Sequence, residues 1–163
     1  MRHAKSDWHS ENISDFDRPL NKRGLLDVPR MAEWMASQNF APDLLISSPA
    51  LRARQTTSEV ASRLQIDDSS IIYDKRMYLA GVDTLLAIIG EIDNTHTTVM
   101  LVGHNPGLET LATGLSRDQL PTAPDGGLMT TANVIQLRTQ EAWDALTPHG
   151  SEFLQLMRPK QLP

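Results

Sequence analysis

The chain has 163 residues, 40% of them apolar and 21% charged, which suits one α/β domain, residues 1–163, with a sizeable core. Its 15 basic and 20 acidic residues leave a net charge of −5 and only 5% are aromatic, so neither a duplex-binding basic face nor a base-stacking platform is expected. There is no cysteine, which excludes disulfides, thiolate catalysis and cysteine-based zinc sites, and no long apolar run or leader pattern, so no membrane span is expected and the compartment is read as cytoplasmic.

In chain order, Leu25, Val28, Met31, Ala32 and Met35 recur at helical spacing and predict a helix over about 22–38, to be packed on a core. Pro29 interrupts this run, so the helix either starts near it or bends there. Residues 44–47 predict a short buried strand. Ser48 is expected to cap the next helix, with Pro49 in its first position and its end near residue 64. A short strand at 71–73 and a helix at 82–92 follow. Residues 98–102 form a continuous apolar run, as a parallel strand covered on both faces requires. That run leads into Gly103-His104-Asn105-Pro106-Gly107 and a helix near 108–115. Residues 119–127 read as a loop, and 133–137 and 153–157 as two further strands. The alternation predicts an α/β fold with a mostly parallel central sheet, helices on both faces, and ligands bound beyond the carboxyl ends of the strands.

Three segments concentrate reactive side chains where strands end or the chain starts: Arg2-His3-Ala4, Ser48-Pro49-Ala50-Leu51-Arg52-Ala53-Arg54-Gln55-Thr56, and Gly103-His104-Asn105. Singly, each reads as a solvated end, a capped helix or a turn. Together they bring two arginines and two histidines to one sheet edge. Two guanidiniums can fork the oxygens of a phosphoryl group. One neutral imidazole can attack phosphorus, and the other can donate to an oxygen where charge accumulates. A metal site is not expected, since the five histidines show no helical ligand spacing.

These segments resemble the signature of the histidine phosphatase superfamily, the phosphoglycerate mutase-like group. Ala4 after His3, the run Ser14-Asp15-Phe16-Asp17-Arg18-Pro19-Leu20-Asn21-Lys22-Arg23-Gly24, and Gly103-His104-Asn105-Pro106-Gly107 are similar to its SixA-type phosphohistidine phosphatase branch. The resemblance implies a three-layer α/β/α sandwich, a transient phospho-His3, and a phosphate pocket of Arg2, Arg52 and His104. It implies no cofactor and no metal. Ser6, His9 and Asn105 are expected as further substrate contacts. Arg54 diverges by about 200° from Arg52 around a helix and is expected to be solvated or structural.

Two departures from the family pattern sharpen the expectation. Mutase-like relatives acting on alkyl phosphates carry a glutamate acid in an Arg-Leu-x-Glu context; the comparable stretch here is Arg76-Met77-Tyr78-Leu79, with leucine in the acid's place. An alkoxide needs a proton to leave, whereas an imidazole leaves more readily, which favours phosphohistidine over a sugar phosphate. Asp74 and Asp83 are the carboxylates nearest in sequence that would substitute. The family also places a short apolar strand before Arg-His, of which only Met1 is present, so the first strand is expected to be truncated. The expected partner is a phosphorylated protein, for instance a histidine phosphotransfer domain, or else a small phosphorylated substrate. The competing readings are a small-molecule phosphomonoesterase or mutase, and a slow or inactive phospho-recognition module.

Overall fold

The computed structural model describes residues 1–8, 13–123 and 127–162. In chain order the main elements are α1 (Lys22–Ser37), β1 (Leu44–Ser47), α2 (Leu51–Leu64), β2 (Ile71–Tyr73), α3 (Val82–Gly90), β3 (Val99–Val102), α4 (Gly107–Leu115), β4 (Val134–Arg138) and β5 (Glu152–Met157). β1 lies between β2 and β3, and both pairings are parallel. β4 and β5 form an antiparallel pair with a bulge between Gln136 and Leu137. The chain start joins the two ladders. Arg2 bridges Gly103 in parallel, His3 N–H donates to the Gly103 carbonyl (3.0 Å), and Arg2 N–H donates to the Asn133 carbonyl (3.1 Å).

Side-chain alternation along β1 and β3 divides the apolar residues between the two faces of the sheet. Leu45, Met100 and Val102 pack with Val28, Met31 and Met35 of α1 and with Ala53 and Val60 of α2. Leu44 and Ile46 pack with Leu85 and Ile88 of α3 and with Leu108 and Leu111 of α4 on the other face. Burying one such side chain contributes roughly 1.5–3 kcal/mol, against less than about 1 kcal/mol for most differences in helix propensity. Packing on the sheet therefore decides where these helices lie. The result is the expected α/β/α layering, with β1 and β3 delivering their carboxyl ends to one edge. Beneath Met1, the edges of β3 and β4 that β1 and β5 leave uncovered border a groove of about 950 Å³, lined by Met100, Leu101, Leu111, Val134 and Leu137 among others.

Helix α1 covers the predicted range, whereas the placing of Leu25 and the capping role of Ser48 need correction. Helix α1 starts seven residues before Pro29, capped by the Asn21 side chain, which accepts from Gly24 N–H (2.9 Å). Pro29 therefore lies inside the helix, and the carbonyl it cannot serve belongs to Leu25. Leu25, expected in the core, is 55% exposed, so water reaches that turn. The reason is that Gly24, not Leu25, faces inward: a Cβ there would sit 2.3 Å from the Lys5 carbonyl oxygen. Ser48 is not the cap of α2. The N-cap position falls on Ala50, without a side-chain bond, because the Ser48 hydroxyl is engaged elsewhere.

Gly24 thus holds the segment after His3 against α1. Glycine to alanine inside a helix ordinarily gains about 1 kcal/mol. Here Gly24→Ala is expected to cost about 1–3 kcal/mol through overpacking, read as a lower urea midpoint.

Candidate active site

The segments singled out in the sequence converge beyond the carboxyl ends of β1 and β3. His3 follows the bridge to Gly103, His104 follows β3, and Arg52 stands in the first turn of α2. Neighbours in the same motif lock this arrangement. Thr56 Oγ1 donates to the Arg52 carbonyl (2.7 Å) and accepts from Ala4 N–H (3.1 Å), tying the chain start to α2. The Gln55 side chain accepts from Leu20 N–H (2.7 Å) and fixes the segment leading into α1.

Arg52 can only donate, which settles the tautomers of both rings. Its Nε donates to His3 Nε2 (3.2 Å), so Nε2 carries a lone pair; Nδ1–H of the same ring donates to the Ala4 carbonyl (2.8 Å). Its Nη2 donates to His104 Nδ1 (3.3 Å), so His104 Nε2–H donates to Ser48 Oγ (2.8 Å). The two imidazoles lie 5.0 Å apart between ring centres. Arg52 itself is 2% exposed.

This environment keeps both rings uncharged. Burial lowers His3 to about 3, assisted by the nearby charges of His104, Arg52 and Arg2 against the opposing Ala4 hydrogen bond. Burial also lowers His104 to about 4, with Arg52 as the next cause and Asp15 opposing. For His3, desolvation outweighs the arginine charges as the cause.

The other expected site residues divide. Arg2 Nη1 donates to the Met129 carbonyl (2.7 Å), while its buried Nε has no hydrogen-bond partner among the described residues. Asn105 Nδ2 donates to that same carbonyl (2.9 Å), so Asn105 and Arg2 share Met129 as acceptor. Ser6 is buried in a backbone bridge to Leu20, and no hydrogen bond among the described residues links it to His3, Arg52 or His104. His9 lies outside the described residues. Arg54 is exposed and sits over the Tyr73 ring, as its helical position implies. Leu79 is 57% exposed, and Asp74 is held by Arg76 rather than by the histidine cluster.

Sequence reading passed over three residues that complete the site. Asp15 accepts from Arg52 Nη2 (3.0 Å), Tyr78 hydroxyl (2.6 Å) and Arg18 Nη2 (2.5 Å), and its carbonyl accepts from Arg52 Nη1. Arg18 is capped by the Trp8 ring at 3.5 Å. Tyr78 stands edge-on to His104 and to Phe16. The only advance signal was the dense run of charged and aromatic residues from Ser14 to Arg18.

Residues 1–77 match the model of the histidine phosphatase superfamily, branch 1. A protein of Mycobacterium tuberculosis described as uncharacterized is 35% identical over 112 residues, 69% of this chain and 67% of its own. The chain belongs to the histidine phosphatase superfamily. Among solved structures of that kind, the putative phosphohistidine phosphatase SixA from Agrobacterium tumefaciens is 33% identical, with a TM-score of 0.79 over 97% of this chain and 94% of its own. A putative SixA from Nakamurella multipartitia is 28% identical, with a TM-score of 0.80 over 98% of this chain and 93% of its own. The phosphohistidine phosphatase SixA of Escherichia coli is 28% identical over 74% of each chain. A structure of SixA with tungstate, at 24% identity and a TM-score of 0.81, shares the fold. No helix among the described residues of this histidine phosphatase superfamily member is long and apolar enough to cross a membrane.

The buried neutral histidines make stability depend on pH. Unfolded histidine titrates near 6.5. Between that value and about 3 for His3 or 4 for His104, the unfolded chain binds more protons than the folded one. Their contribution is complete above about pH 6.5 and is lost as pH falls. Urea midpoints should fall from pH 7 to pH 5, and His3→Gln should flatten that slope.

Proposed function

We propose that the protein is a phosphohistidine phosphatase that carries the phosphoryl group transiently on His3 Nε2. The observation that carries this reading is the lone pair of His3 Nε2, held by the Ala4 and Arg52 hydrogen bonds in a cluster with two guanidiniums and a second imidazole. Names of similar proteins, the SixA phosphatases, support the substrate class.

The chemistry runs in two in-line transfers. His3 Nε2 attacks phosphorus and the substrate's imidazole leaves. Water then attacks phospho-His3, inorganic phosphate departs, and the ring returns neutral. His3 needs no base to activate it, because its ring is already unprotonated at neutral pH. Arg52 and Arg2, whose Nε has no partner among the described residues, supply donors for the phosphoryl oxygens, where the charge of the transferred group must be offset. Facing Arg52, His104 Nδ1 is an acceptor. An arriving phosphoryl anion favours the protonated ring, which turns Nδ1 into a donor.

Leu79 in place of a carboxylic acid favours this leaving group over an alkoxide, which would have to be protonated as it departs. The substrate in this reading is a phosphorylated protein that presents its histidine to the mouth of the site. Exposed Trp8, Phe16 and Leu79 offer that protein apolar contact.

Brief mixing with a radiolabelled phosphohistidine protein should leave acid-labile, alkali-stable phosphate on the wild type. His3→Ala should take up none and lose turnover by about 10⁴-fold or more. Undiminished hydrolysis by His3→Ala would refute the scheme.

A further inference from the structure

Asp15 is the one carboxylate among the described residues bonded directly to the arginine that joins the two rings. It sits at the mouth of the site, its side chain 43% exposed, on the loop between the chain start and α1. Burial alone would raise this carboxyl. The Tyr78 hydroxyl and Arg52, with Arg18, outweigh that and hold it at about 2. It is therefore an anion throughout the neutral range and has no proton to give an alkoxide. The same feature suits it to face a positive charge.

An ionised carboxylate has about four acceptor positions on its two oxygens. Here Oδ2 takes Arg52 and Tyr78, and Oδ1 takes Arg18. Among the described residues no further donor meets Oδ1, so one position on this partly exposed side chain remains. Around it stand flat rings: Phe16 meets Tyr78 edge-on with centres 5.0 Å apart, and Tyr78 meets His104 edge-on at 5.4 Å. These edges and faces suit a planar heteroaromatic ring. The loop backbone is anchored independently, because the Asp15 carbonyl accepts from Arg52 and the Phe16 carbonyl accepts from Leu51 N–H (2.9 Å). The carboxylate can thus adjust to an incoming phosphoryl group while its loop stays in place.

Resting on the phosphohistidine reading above, we infer that Asp15 is the leaving-group residue, accepting a hydrogen bond from the substrate ring nitrogen remote from phosphorus. The phosphoimidazole then binds as its imidazolium form, having taken that proton from solvent. His3 Nε2 donates its lone pair to phosphorus, and the bond from phosphorus to the substrate nitrogen breaks. The electron pair of that bond goes to the substrate ring, which departs as neutral imidazole, still protonated on the remote nitrogen beside Asp15. No proton has to reach the nitrogen that leaves, so a leucine at position 79 costs the reaction nothing.

The test compares Asp15→Asn with the wild type on two substrates: a phosphohistidine peptide and p-nitrophenyl phosphate, whose leaving group has no ring N–H. A hydrogen bond to a charged group is worth enough to change kcat/KM by about tenfold to a hundredfold. Any loss through the Arg52 contact is shared by both substrates, so that factor is expected in the ratio of the two kcat/KM values, with phosphohistidine losing about tenfold or more beyond p-nitrophenyl phosphate. Tyr78→Phe leaves the carboxylate in place and should produce a smaller loss of the same kind. Thermal melts confirm that each variant is folded. Equal losses on both substrates mean that Asp15 only holds Arg52, and no loss on phosphohistidine means that it does not meet the leaving group; either overturns the inference. A wild type that turns over p-nitrophenyl phosphate through phospho-His3 but ignores phosphohistidine overturns the parent reading, and this inference with it.

Discussion

A buried guanidinium organises this molecule. Arg52 is almost wholly withdrawn from water, and an unpaired cation in that position would cost several kcal/mol. Its donors must be met, and the groups that meet them form the site: His3 Nε2, His104 Nδ1, and the carboxylate and carbonyl of Asp15. One side chain thereby fixes two ring tautomers and anchors a loop. The fold exists around it in a literal sense: α2 carries it, β3 delivers one ring, and the chain start delivers the other.

The same constraint explains why the motif around Arg52 is longer than its chemistry requires. Gln55 and Thr56 touch backbone, not rings. Thr57 donates to Ser47 at the end of β1 (2.8 Å), joining helix to strand directly below the site. Ser48 receives the His104 ring instead of capping the helix. These hydroxyls and amides position the reactive groups at small net energy each, about 1 kcal/mol, but they leave no competing arrangement with its donors satisfied.

Much of this was legible beforehand. Strands at 44–47 and 98–102 are short, apolar and followed by glycine, proline or polar residues, so their ends and their cargo could be read directly. Arg52 and His104 were recoverable because reactive residue types followed those ends, and His3 because it opens the chain beside Arg2 in the same set of motifs. Asp15 and Tyr78 were not, because a loop aspartate and a tyrosine next to a one-turn helix carry no periodicity that fixes where they point. The antiparallel pairing of β4 with β5 was also hidden, since a half-buried strand has the same pattern in either direction. Leu25 was misplaced because helical spacing allows two adjacent faces, and only the close approach of Lys5 to Gly24 selects between them.

Beneath the reactive rings lies a layer of sulfur. Met1, Met31, Met35 and Met100 share one cluster on the α1/α2 face of the sheet, each no more than 6% exposed. The chain has no cysteine, and nitrogen, not a thiolate, is the proposed point of attack on phosphorus. Mild peroxide, which silences thiolate-dependent phosphatases at their nucleophile, has no such target here. The thioethers of this cluster are sealed under the sheet and reached only when the fold opens, whereas Met157 beside them is partly exposed; conversion of the buried four to polar sulfoxides would break the packing on that face. Resistance to oxidants in this protein is thus a property of how tightly its floor stays shut.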